Sequence, residues 1–170
     1  AEADGDPIQA VIVASGINCD GHTNGITVPS SEQQGQLLQT VYARAGIDAN
    51  QLTYLEAHGT GTMVGDPLET YALGKVLGQT RTKPLPIGSA KTNVGHLETA
   101  SGMAGLVKVV LSLQHRAIPA SLHVKNLNPR IDFAGLNLQP ITEFTPLAET
   151  AEPLLMGVNS FGFGGANAHV

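Results

Sequence analysis

The sequence predicts an α/β layer fold, and three observations carry that prediction. Short apolar runs, several rich in β-branched residues, recur along the chain and read as strands. Between them lie longer segments with apolar residues at helical spacing. Glycines, prolines and capping residues punctuate the boundaries. Strands alternating with helices argue for a sheet with helices packed on its faces.

The elements follow in order. After a polar turn, Ala1 to Pro7, the run Ile8 to Ile17 predicts a buried strand. Asn18 to Pro29 is a loop, marked by Gly21, Gly25 and Pro29. Ser30 offers an N-cap with Gln33 three residues on, and Leu37, Leu38, Val41 and Tyr42 give the helix its apolar face up to Gly46. Leu52 to Ala57 predicts the next strand. Asp66 then reads as an N-cap, Pro67 as the first helical residue and Glu69 as the partner that closes a capping box. Leu85 to Ala90 predicts a short strand, and Leu97 to His115 a central, nearly buried helix. Gly102 and Gly105 inside that helix each cost about 0.5–1 kcal/mol against alanine, so they point to close backbone packing. Pro119 to Pro129 is irregular, Leu136 to Leu138 a short strand, and Pro140 to Pro153 a surface loop. Leu154 to Asn159 and Ala166 to Val170 predict two further strands around a glycine-rich turn. A stop at Val170, as a strand begins, is what a fragment of a larger domain would show.

Composition excludes several classes. The 170 residues suffice for one domain with a core. A net charge of -5 gives no reason to expect nucleic acid or an anionic membrane as partner. No apolar stretch is long enough to span a bilayer, and no N-terminal signal pattern is present. The single cysteine allows no intrachain disulfide, makes a zinc site a poor expectation and suits a reducing cytoplasm.

Chemistry concentrates in two loops. His58 lies in Glu56-Ala57-His58-Gly59-Thr60-Gly61-Thr62, and His96 in Lys91-Thr92-Asn93-Val94-Gly95-His96. Each loop follows a strand and precedes a helical segment, where side chains are exposed yet held by a rigid sheet. A histidine so placed either bonds to backbone as a structural residue or serves as hydrogen-bond donor, base or metal ligand. Two in equivalent loops favour the chemical reading. Lys91, five residues before His96, is either a surface lysine at a strand end or an orienting charge. Thr60 and Thr62 suit a Gly-Thr turn in any case. Cys19 has no activating neighbour and reads as a small core or loop residue rather than a nucleophile. Capping accounts for Asp66 and Glu69, and P-loop spacing is absent.

These runs resemble the two histidine motifs of the β-ketoacyl synthases, the condensing enzymes of fatty acid and polyketide synthesis. Asn159-Ser160-Phe161-Gly162-Phe163-Gly164-Gly165-Ala166-Asn167-Ala168-His169 resembles the family's glycine-rich loop, and Asn18-Cys19-Asp20-Gly21 through Gly25-Ile26-Thr27 a further block. The resemblance covers essentially the whole chain and is nearest to multidomain polyketide synthases. It implies a thiolase-like fold, with residues 1–170 as the C-terminal half of the ketosynthase domain. The N-terminal half, with the nucleophilic cysteine, is then absent. The implied activity is decarboxylative Claisen condensation of acyl and malonyl-type thioesters on acyl carrier protein. His58, His96 and Lys91 would form the decarboxylation site. Phe163, between Gly162 and Gly164, would gate it and lend an oxyanion N–H. Thr60 and Thr62 would line the pantetheine channel. No metal or redox cofactor is implied, since phosphopantetheine arrives on the carrier. The implied partners are the N-terminal half, without which this chain is inactive, the carrier protein, and a second copy in a dimer of complete domains. Some family members carry a glutamate where this chain has Gly105, so their lysine–glutamate pair is not available here. The alternatives are a non-elongating synthase that transfers or gates acyl chains, or a non-catalytic complementing scaffold.

Overall fold

The computed structural model describes residues 1–170. Six strands form its main sheet: β1 (Gly16–Cys19), β2 (Leu52–Glu56), β3 (Leu85–Gly88), β5 (Leu138–Pro140), β7 (Leu155–Phe161) and β8 (Ala166–His169). They lie in the order β1-β8-β7-β2-β3-β5. β7, β2, β3 and β5 run parallel, while β8 pairs antiparallel with both β7 and β1. A small ribbon, β4 (Ala117–Ile118) with β6 (Thr145–Pro146), lies apart from it.

Two helical layers follow from the two-residue period of the strands. Leu55 of β2 turns to one face, with Leu38 and Tyr42 of α1 (Ser31–Ala45) and Leu73 of α2 (Gly65–Leu73). Tyr54, its neighbour, turns to the other, with Val109 of α4 (Ser101–His115). Ser30 caps α1, its hydroxyl accepting from Gln33 N at 3.2 Å, and left-handed Gly46 ends it. The thin face of α4 lies on β7 and β2, as its glycines lead one to expect. A Cβ on Gly105 would stand 3.1 Å from Glu56 Cγ.

Three expectations are corrected. Ile8 to Ser15 is not a strand and not buried: β1 begins at Gly16, and Val11 is 75% exposed. The register of β8 against β1 ends at the pair Gly16 and His169, so no strand of this chain lies beside residues 8–15 to complete a ladder. The helix after His96 is not nearly buried. It begins at Ser101, behind a 3-10 turn, and Met103, Val107 and Leu111 face solvent as a stripe. α2 starts at Gly65, so Pro67 stands third in it, and neither Asp66 nor Glu69 makes the expected cap. Their carboxylates are engaged elsewhere.

Candidate active site

β2 and β3 are parallel neighbours, so the loops at their C-terminal ends emerge side by side. That brings His58, His96 and Lys91 together. Lys91 opens a four-residue helical turn, α3 (Lys91–Val94), and Gly95, at φ 72°, turns the chain towards His96. The two imidazoles stand 5.2 Å apart, centroid to centroid, edge to face. Phe161, at the end of β7, packs its ring 5.7 Å from that of His58.

Hydrogen bonds set which nitrogen of each ring carries the proton. Lys91 Nζ approaches His58 Nδ1 at 3.4 Å and, as an ammonium, can only donate. Glu98 adopts a left-handed conformation, φ 50°, and its backbone N–H donates to His96 Nδ1 at 3.0 Å. In both rings Nδ1 is the acceptor, which leaves Nε2 as the N–H nitrogen. Burial, then the Lys91 charge and then His96, push the His58 pKa down to about 3, so this ring is a neutral donor at pH 7. Burial also lowers Lys91, while Glu69, Glu56 and Asp66 act in the opposite direction.

The loop that carries His58 is held by the two carboxylates read from sequence as caps. Glu69 is 4% exposed. Its oxygens accept from His58 N at 2.7 Å, Gly59 N at 2.9 Å and Asn159 Nδ2 at 2.9 Å. Asp66 Oδ1 accepts from Gly61 N at 3.0 Å. Burial raises both carboxyls, and the donated hydrogen bonds oppose that rise. Gly59 is left-handed, and a Cβ there would meet Ser89 Cβ at 2.8 Å, so no other residue fits between the two loops. Asn159 Oδ1 lies 2.7 Å from His169 Nδ1, and His169 Nε2 lies 3.0 Å from the Tyr42 hydroxyl. Burial lowers His169 to about 4. A neutral His169 therefore links α1, β8, β7 and α2 to the His58 loop. The sequence reading missed Glu69, Asn159 and Phe161 as parts of the site. The signal for Asn159 and His169 was their place at the two ends of the glycine-rich run.

His58 and His96 line a cleft of about 480 Å³, with Thr60, Thr62, Met63 and Phe161. Thr62 Oγ1 accepts from Gly65 N at 3.0 Å and lies 3.1 Å from Thr60 Oγ1, so its turn-forming role is met while both remain on the cleft wall. Gly162, Phe163 and Gly164 form the rim. Phe163 is 85% exposed, and the aromatic against His58 is Phe161. Cys19 is exposed at the end of β1. Among His, Cys, Asp and Glu side chains no cluster suited to a metal ion forms. No helix is long and apolar enough to cross a membrane.

Parallel strands whose ends bring two imidazoles and a lysine together define a polar class of site rich in hydrogen-bond donors. Similarity to known proteins specifies it. Residues 9–125 match the β-ketoacyl synthase C-terminal domain, and residues 128–170 match the ketoacyl-synthetase C-terminal extension. The chain is 49% identical, over its full length, to the polyketide synthase GfsA of Streptomyces halstedii, of which it covers 2%. It is 51% identical, over 98% of its length, to the highly reducing polyketide synthase Preu1 of Preussia isomera, of which it covers 7%. The ketosynthase from module 6 of the Bacillus subtilis 168 bacillaene synthase superposes with a TM-score of 0.93 at 42% identity, covering 99% of this chain and 31% of that one. The oxazolomycin ketosynthase domain OzmH KS7 of Streptomyces albus JA3453 gives 0.95 at 38%, covering 99% and 30%. The chain belongs to the β-ketoacyl synthase family, as the C-terminal domain of a polyketide-synthase ketosynthase, and has the thiolase-like fold. It spans less than a tenth of the two synthases named above and about a third of the solved ketosynthase chains.

Proposed function

We propose that this chain supplies the decarboxylation half of a ketosynthase site, in which a malonyl-type thioester loses carbon dioxide and its enolate condenses with a bound acyl group. The observation that carries the reading is the pair of imidazoles with both Nδ1 atoms already accepting hydrogen bonds. When the carboxylate–carbon bond breaks, the electron pair moves into the thioester and charge develops on its oxygen. Two Nε2–H donors aimed at that oxygen bind the enolate better than the ground state, and this difference lowers the barrier. Lys91 holds His58 in the donor tautomer. The enolate carbon then attacks an acyl thioester on a nucleophilic cysteine supplied by the rest of the domain, with the Phe163 N–H as one oxyanion donor; as the new carbon–carbon bond forms, the acyl–sulfur bond breaks and the cysteine leaves as its thiolate. Thr60 and Thr62 meet the amides of a pantetheine arm carried in by acyl carrier protein, so the reaction draws on no separate cofactor.

Two uncovered apolar surfaces support a partner in the rest of the domain. One is the exposed segment containing Val11, Ile12 and Val13, and the other is the Met103, Val107 and Leu111 stripe. Exposed patches of this kind mark interfaces. A dimer of complete domains in a cytoplasmic multienzyme follows from the same reading. The test compares this chain with the complete ketosynthase domain that contains it, using an acyl thioester and a malonyl thioester. The complete domain is expected to take up the acyl mass and release carbon dioxide, and this chain alone to do neither. Acylation of this chain alone at Cys19 would contradict the assignment of the nucleophile.

A further inference from the structure

We propose that Lys108 and Glu56 are positioning residues for the two-histidine site: the Lys108 ammonium is a built-in counterion for the Glu56 carboxylate, which anchors the backbone from which Lys91 and His96 project. The inference rests on the decarboxylation reading above. Glu56 is the last residue of β2, two before His58, and only 2% exposed. Its Oε2 accepts from Lys108 Nζ at 2.7 Å and from the Tyr54 hydroxyl at 2.6 Å. Its Oε1 accepts from Ala90 N, the amide just before Lys91. One carboxylate thus sits at the root of both histidine loops.

Lys108 reaches this point from α4, and its Nζ also lies 2.8 Å from the Tyr54 oxygen. Gly105, one turn earlier on α4, makes the room, because its missing side chain leaves space for the Glu56 stem. A lysine–glutamate pair is therefore present after all, built from positions other than 105. Buried ion pairs are poor stabilisers, since desolvating both charges offsets their attraction, and a well-packed apolar pair serves stability as well or better. This pair does something an apolar pair cannot: it presents a fixed acceptor to Ala90 N. Glu56 also opposes, by its charge, the effect of burial on Lys91. Without Lys108 the carboxylate is an uncompensated buried charge, which turns away towards water, and Ala90 N loses its acceptor.

The test uses the complete ketosynthase domain that contains this chain, with carbon dioxide release from a malonyl thioester as one readout and acyl loading of the domain's nucleophile as the other. Lys108→Met is expected to lower kcat for carbon dioxide release by roughly 10- to 100-fold, the effect of displacing a reacting group by about 1 Å. KM and acyl loading are expected to change far less. Glu56→Gln alone should show the same split. The double variant E56Q/K108M should recover most of kcat, because a neutral amide still offers an oxygen to Ala90 N and leaves no buried charge. Unchanged kcat in both single variants overturns the proposal. So does a loss shared equally by acyl loading, or a double variant no better than either single one. If Lys108→Met does not fold, Glu56→Gln and the double variant decide by the same criteria. His96→Ala runs in parallel. If it retains full carbon dioxide release, the decarboxylation reading falls and the inference with it. If it loses release while Lys108→Met does not, only the inference falls.

Discussion

Replacing His96 with alanine in the complete ketosynthase domain is expected to lower carbon dioxide release by about 10²–10³, the usual cost of one oxyanion donor. His58→Ala should cost as much. The reason is geometric: each ring has its Nδ1 engaged, by Lys91 in one case and Glu98 N in the other, so each offers one Nε2–H and no more. Removal of either leaves the thioester oxygen with a single donor as charge develops. Losses from the two should not add when combined, because residues that act on one oxygen act as a unit. Acyl loading is the internal control, since neither ring is assigned a part in it. Release rates with labelled malonyl thioester, set beside the extent of acyl loading, check the expectation. An equal loss in both assays would mean that the rings serve some earlier step.

Glu69→Ala is expected to remove both activity and stability. The carboxylate accepts from His58 N, Gly59 N and Asn159 Nδ2, all in or near the interior. Alanine leaves three donors without partners, and each unsatisfied buried group costs about 1–3 kcal/mol. The expected loss is several kcal/mol in denaturant unfolding, with the His58 loop displaced and carbon dioxide release abolished. Glu69→Gln should be intermediate, because its amide nitrogen faces N–H groups with no oxygen to accept it. A stability close to that of the parent in Glu69→Ala would show that the loop holds its shape by packing alone.

The parts of this molecule legible in the sequence were those set by local chemistry. Ser30 capping α1, Gly46 ending it, and the strands before His58 and His96 depend on neighbours a few residues away. The histidine motifs also said which residues to look for, and the parallel pairing of β2 and β3 brings His58, Lys91 and His96 to one place. What could not be read were partnerships across the fold. Glu69 stands three residues after Asp66 and looks like half of a capping box, yet its side chain turns back eleven residues to the His58 amide. Glu56 lies in an apolar strand and meets Lys108 fifty-two residues on. The strand expected at Ile8 to Ser15 shows a different limit. Hydrophobicity and β-branching describe what a strand is made of, whereas a ladder also requires a neighbour, and residues 8–15 have none in this chain. The Phe161-Gly162-Phe163 run offered two aromatics, and only the end of β7 decides that Phe161 is the one against His58.

In the proposed mechanism both imidazoles present Nε2–H to the cleft with Nδ1 unprotonated. Nitrogen-15 NMR of the complete domain, with histidine labelled at both ring nitrogens, measures this directly. At pH 7 the proton is expected on Nε2 in His58 and in His96, with His58 staying neutral as acid is added until near its depressed pKa of about 3. A proton on Nδ1 of either ring, or a His58 that becomes imidazolium near pH 6.5 as an unperturbed histidine would, contradicts it.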